Sequence, residues 1–263
     1  MNEYLISSCQ NGGLHRLSLD GKYTTTDSGN IRGLTQVGSS IVYVKDDHLF
    51  KVVGDQRFQL FKLPCHGHDI KYRSKTKTFL FMGTQNRKLY ELSLIGEIIK
   101  EIQYDHKYWM NCIEITDEGV IVFLSCKRPL SDSKIIFYDQ SFNVCSEYEC
   151  PKKDEIHSPL FYNGELYWCR SNVNSVVRSD LSFSQVEEVV VNHDGYTRGL
   201  YIDDECMLVG TSENRHAENS NCRSNLDHGC VHQYKKQTLI ASFKLHCREV
   251  YDILKFNNVK YYL

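Results

Sequence analysis

The stretch HDIKYRSKTKTFLFMGTQNRKLYELSLIGEIIK, residues 68–100, reads as four short strands and little else. His68–Tyr72, Phe79–Gly83, Lys88–Leu92 and Glu97–Lys100 are runs rich in β-branched, aliphatic or aromatic residues, broken by polar turns. We label them A to D. Strand A opens on a polar residue, then a small or polar one, then an aliphatic: His68-Asp69-Ile70.

That signature recurs along the chain. It reads Arg32-Gly33-Leu34, Asn111-Cys112-Ile113, Ser158-Pro159-Leu160, Arg198-Gly199-Leu200 and Tyr251-Asp252-Ile253. The steps between first residues are 36, 43, 47, 40 and 53, and from Tyr251 through the C-terminus to Arg32 the step is 44. Repeats of this length, each of four strands, are the signature of a β-propeller. Tyr4–Ser8, Leu14–Leu19 and Tyr23–Thr26 supply strands B, C and D, and Val250–Phe256 supplies their missing strand A. The expectation is therefore all-β: residues 1–263 as one six-bladed β-propeller, its sixth blade closed by N- and C-terminal strands. Closure of this kind hides sheet edges. Ile41–Val44, Val120–Leu124 and Leu166–Cys169 fit as further strands, and Asn11-Gly12, Asn163-Gly164 and Asn257-Asn258 as turns. The absence of amphipathic helices argues against a TIM barrel or a doubly wound sheet. The fifth unit is the longest, its excess lying in Ser212 to His228, an insertion or a lid.

Composition narrows the function classes. The 263 residues carry a net charge of -2, with 31 basic and 33 acidic side chains, which argues against a nucleic-acid partner. No apolar run reaches the roughly 20 residues of a membrane helix. The start, Met1-Asn2-Glu3-Tyr4, lacks the features of a signal peptide, so we expect a cytoplasmic protein. Eleven cysteines, an odd number without CxxC spacing, then read as reduced thiols. Cys145/Cys150 and Cys222/Cys230, the latter near His228, are spaced too loosely for a usual zinc cluster.

In a propeller the A strands line a central channel, so the six signature positions converge although they are distant in sequence. This brings Arg32, His68, Asn111, His157 with Ser158, Arg198, and Glu249 with Tyr251 to one funnel. The B–C turns Gln85-Asn86-Arg87, Ser171-Asn172 and Glu213-Asn214-Arg215 should rim it. Each residue alone reads as a group solvating the channel. The set is richer in arginine and histidine than support requires. Two chemistries fit. His68 and His157 with Glu249 or Asp69 could hold a divalent metal, iron or zinc. Alternatively the two histidines are a catalytic acid and base, while Arg32, Asn111, Arg198 and Glu249 bind the substrate, the arginines by forked hydrogen bonds to an anion.

His68-Asp69, Asn111, His157-Ser158-Pro159, Gly195–Leu200 and Glu249–Asp252, with the opening Ser8-Cys9-Gln10-Asn11-Gly12, resemble in order the motif series of a bacterial family of uncharacterised propeller-shaped proteins. The resemblance covers nearly the whole chain. It departs at Asn111-Cys112-Ile113, where the family has Asn-Gly-Leu. It implies the same fold and residues, and no reaction. The lactonase-type propellers hold a metal with carboxylates and asparagine at the channel mouth. This chain has too few acids there to match them.

Two classes of function remain. One is a propeller that binds a small polar or anionic ligand in its funnel, with or without catalysis. The other is a non-catalytic scaffold for a protein or peptide partner, which an exposed aromatic patch around Tyr108 and Trp109 would favour.

Overall fold

The apolar runs of the sequence are longest in the second strand of each unit, and a strand buried on both faces must be covered from both sides. A computed structural model shows how. It describes residues 3–10, 12–126, 132–151, 154–191, 195–213 and 228–256. β1 (Glu3–Ser8), β2 (Gly13–Ser18) and β3 (Tyr23–Asp27) come first. A four-stranded sheet follows, β4 (Ile31–Val37), β5 (Ser40–Lys45), β6 (His48–Val53) and β7 (Gln56–Lys62). The next contains β8 (Asp69–Arg73), β9 (Thr78–Gly83), β10 (Lys88–Leu92) and β11 (Ile98–Gln103). The third holds β12 (Tyr108–Ile115), β13 (Gly119–Cys126), β14 (Lys134–Asp139) and β15 (Val144–Glu149). β16 (Ile156–Tyr162), β17 (Glu165–Arg170), β18 (Ser175–Ser179) and β19 (Glu187–Val191) form the fourth. β20 (Tyr196–Ile202), β21 (Met207–Ser212), β22 (Cys230–Lys235) and β23 (Thr238–Lys244) form the fifth. Finally β24 (Asp252–Phe256) pairs with β1, giving the sixth sheet the order β24-β1-β2-β3.

The chain is a six-bladed β-propeller, almost entirely β, closed as the circular spacing requires. Ile6 lies opposite Ile253 in antiparallel register, and Tyr251 N–H extends the seam to the Ser7 carbonyl at 2.8 Å. Each adjacent pair of blades shares one apolar cluster. Phe123 and Trp168, for example, meet edge-on between the third and fourth blades at 6.3 Å. The outer strands β7, β11 and β23 are largely exposed. Among the described residues no helix is long and apolar enough to cross a membrane.

Strand A departs from regular pairing in four blades. Register shifts fall at Arg32/Leu34, Met110/Cys112, His157/Leu160 and Thr197/Leu200. A bulge frees a backbone N–H from its own ladder, and that group needs another acceptor. Neighbouring blades provide it. Asp252 Oδ2 accepts from Leu34 N–H at 3.1 Å, Asp69 Oδ2 from Ile113 N–H at 2.8 Å, and Ser158 Oγ from Gly199 N–H at 2.7 Å. Gly33 has φ +52°, and a Cβ there would stand 2.7 Å from Ile70 N and 2.8 Å from Asp69 Oδ1. Glycine is required because the next blade's aspartate approaches so closely. The bulges also let the A strands begin earlier than the sequence suggests. Tyr108 and Trp109 lie within β12, opposite Cys126 and Ser125.

Among the described residues the nine cysteine side chains form no disulfide with one another, and those of Cys126 and Cys222 fall outside the description. Cys145 is exposed and Cys150 buried. Residues 214–227, most of the long fifth-unit loop, and 257–263, with the Asn257-Asn258 turn, lie outside the described residues.

Two outcomes follow from this girdle and closure. Asp69→Ala leaves two buried N–H groups without their acceptor and should cost about 2–4 kcal/mol in urea unfolding, with Asp69→Asn costing less. Deleting residues 1–27 removes three of the four strands of the sixth sheet and should abolish cooperative folding by circular dichroism. A stable truncated monomer would contradict the closure.

Candidate functional site

Strand A entrances from all six blades meet at one mouth of the channel. The cationic groups define it. Arg198, at the bulge of β20, is only 8% exposed, and its guanidinium lies over the Tyr251 ring, 4.0 Å from the centroid. Among the described residues no carboxylate pairs with Arg198, and its Nε has no hydrogen-bond partner. Arg32, half-buried on β4, donates from Nη1 to His66 Nε2 at 2.6 Å and to the Gly67 carbonyl at 3.4 Å. Because arginine can only donate, His66 is a neutral acceptor, and burial and then Arg32 lower its pKa.

His68 sits among these cations. Burial, then the charges of Arg32 and Arg198, hold its pKa well below the usual imidazole range. The ring is therefore neutral. Asn111 Nδ2 donates to Ser125 Oγ at 2.9 Å and to the Ile156 carbonyl, so its Oδ1 is the atom that accepts from His68. Among the described residues His68 Nδ1 has no hydrogen-bond partner, and the ring lies edge-on to Tyr251 at 6.1 Å. The Tyr251 hydroxyl is also buried without a partner among the described residues.

His157 is held differently. Ser171, on the short 3-10 helix Ser171–Val173, donates from Oγ to the Thr197 carbonyl at 2.6 Å. Its oxygen therefore accepts from His157 Nδ1–H at 2.8 Å, leaving Nε2 as the basic nitrogen. The ring meets Tyr196 edge-on at 5.5 Å, and Tyr196 donates its hydroxyl to Glu155. Glu249, 1% exposed, accepts a hydrogen bond from the Cys9 thiol at the turn after β1.

The entrance residues thus share one face, but not as a metal site. Among the described residues no three His, Cys, Asp or Glu side chains are arranged to hold an ion, so His68, His157 and Glu249 are not a ligand set. The physical reasons are local. Glu249 is engaged by Cys9, and His68 lies between two guanidinium groups that repel a cation. Nor do His68 and His157 bond each other as an acid–base pair. They are linked through Tyr251, Arg198 and Tyr196.

Ser171 rims the site as the B–C turn spacing suggested. In the Gln85-Asn86-Arg87 turn, Gln85 N–H reaches the His66 carbonyl at 3.4 Å, while the Asn86 amide turns back to Tyr90. Glu213 pairs with Arg248, while Asn214 and Arg215 fall outside the described residues. Cys9 enters the sequence reading only within the opening motif Ser8-Cys9-Gln10-Asn11-Gly12, with no role of its own. Cys9 could have been found as the turn after a B strand, the same position that Ser171 occupies in its blade. Tyr108 packs into the core between the second and third blades, while Trp109 is 43% exposed.

Below the entrance the channel changes sign. Lys71 Nζ lies 3.2 Å from Asp252, 3.8 Å from Asp69 and 3.3 Å from the Leu34 carbonyl. Glu114 shares this throat. A cavity of about 570 Å³ opens from it to the opposite mouth, lined by Lys71, Arg73, Glu114, Gln140 and Phe161 among others. Burial pushes Glu114 up to about 8, with Lys71 opposing and Asp69 and Asp252 reinforcing.

The fold is shared with known propellers. A protein of unknown function from Bacteroides caccae matches over 97% of this chain and 98% of its own, at 10% identity and a TM-score of 0.69. A nidogen/laminin complex matches over 96% and 97%, at 9% identity and a TM-score of 0.67. A luciferin-regenerating enzyme matches over 84% and 78%, at 13% identity and a TM-score of 0.65. Identities this low establish the fold and not a shared activity. No family model and no curated protein matches the sequence.

The throat has a pH signature. Between its ordinary value of 4.5 and about 8, native Glu114 keeps a proton that the unfolded chain has lost. Folding therefore takes up a proton, and the stabilisation fades as pH rises through that window. Glu114→Gln, permanently neutral, should flatten the fall in urea midpoint between about pH 5 and pH 8. An unchanged slope would place the titration elsewhere.

Proposed function

We propose that the protein binds a small anionic ligand at the strand A entrance, held by Arg198 and Arg32. The observation that carries this reading is Arg198. A buried guanidinium costs several kcal/mol unless paired, and a tyrosine face returns only about 1–2 kcal/mol of it. An oxyanion entering the funnel would complete the missing pairing in forked geometry. Tyr251 and Arg32 add donors to such a ligand. His68, held neutral, suits a hydrogen bond accepted from a ligand hydroxyl better than proton transfer near pH 7. His157, its tautomer set by Ser171, is the better candidate base in an enzymatic version of this reading.

The alternative, a scaffold for a protein or peptide, is supported by one separate feature. Phe58 and Leu60 of β7 and Ile98 and Ile99 of β11 are exposed, with Leu94 and Ile95 on the turn between β10 and β11. Gly96 packs on Phe61, so that turn and strand adjoin. This patch lies on the blade edges, away from the cationic mouth.

Calorimetry with phosphate and malonate tests the first reading. Binding should weaken about tenfold, roughly 1.4 kcal/mol, in Arg198→Lys, because an ammonium cannot form the fork. Arg198→Met should abolish it. Equal affinity in all three proteins would sink the reading. His157→Ala should leave anion binding intact and, if a turnover substrate is found, remove turnover.

A further inference from the structure

The cationic mouth also contains a thiol that anion binding does not explain. Cys9 is 2% exposed and donates from Sγ to Glu249 Oε2. The turn that holds it is fixed by Gly12 N–H on the Cys9 carbonyl, at 3.2 Å. Glu249 stands two residues before Tyr251, whose N–H bonds the Ser7 carbonyl. The seam that closes the propeller therefore sets thiol, carboxylate and Tyr251 side by side. Arg198, stacked on Tyr251, lies within electrostatic reach of Cys9. Two polar groups in this corner, Arg198 Nε and the Tyr251 hydroxyl, are buried without partners among the described residues, on side chains 8% and 4% exposed.

Other thiols near Arg198 have different surroundings. Cys112 accepts the Ser158 N–H and is pushed up to about 12 by burial. Cys169 is pushed up further, also by burial. Of the described cysteines, Cys9 combines a carboxylate that can accept its S–H proton with a guanidinium within electrostatic reach that favours the sulfur anion.

We propose that Cys9 is a nucleophile of the anion site, acting on a short carboxylate that carries an electrophilic carbon. The inference rests on the reading of Arg198 as the anion anchor. The ligand's carboxylate engages Arg198. The S–H proton passes along its hydrogen bond to Glu249. The sulfur lone pair forms an S–C bond while the bond from that carbon to its leaving group breaks, and the leaving group departs with the electron pair. Glu249 then returns its proton to solvent.

Iodoacetate and iodoacetamide test this on the whole folded protein, because they deliver the same carbon and the same iodide with and without a carboxylate. A thiol without a neighbouring cation reacts no faster with iodoacetate. Peptide mass spectrometry should show Cys9 modified at least about tenfold faster by iodoacetate, with a rate that saturates and that malonate suppresses. Exposed Cys145 is the internal control and should show no such preference. Arg198→Lys should erase most of the preference, and Glu249→Gln should slow both reagents at Cys9. Cys9 left unmodified, or modified without preference for the anion, would overturn the proposal. If malonate still binds by calorimetry in that case, the anion site stands and only the thiol chemistry fails. If malonate does not bind, both fall.

Discussion

The hydrogen bonds from bulged A strands to the side chains of neighbouring blades are the constraint on which the rest of this propeller depends. Each bulge releases a backbone N–H into the channel wall, where water cannot serve every group. Asp252, Asp69 and Ser158 each accept from the adjacent blade, so the inner rim is tied by polar bonds before apolar packing begins. Apolar clusters between blades add most of the burial, but they are non-directional and would tolerate small rotations. The polar ring fixes the rotation.

The same bonds determine the charge pattern of the channel. Asp69 and Asp252 are turned toward backbone N–H groups and Lys71. Asp69 and Asp252 are thus spent in the throat, and among the described residues Arg198 at the mouth pairs with no carboxylate and lies over the face of Tyr251. A protein whose net charge is near zero therefore presents a locally cationic funnel. The neutral state of His68 is a consequence of this, since two guanidinium groups and burial all oppose a third positive charge.

Closure through both chain ends adds chemistry as well as stability. Pairing β1 with β24 places the turn after β1 against the segment that leads into β24. Cys9 and Glu249 are 240 residues apart and meet only because the ring closes there.

The six-fold repeat and the identity of the entrance residues were legible in the sequence, because blade spacing and strand periodicity are one-dimensional properties. So was the convergence of Arg32, His68, Asn111, His157 and Arg198 on one face, since equivalent positions of a closed ring must meet. Side-chain direction was not legible. The sequence suggests two histidines and a glutamate as a metal set, but four of the A strands carry a bulge, and hydrogen-bond partners from other blades decide where each ring and carboxylate points. Ser171 sets the tautomer of His157, Asn111 engages His68, and Cys9 takes Glu249. Which charges lack a partner is likewise a property of the assembled channel. Pairing depends on distances between blades, and those exist only once the ring has closed.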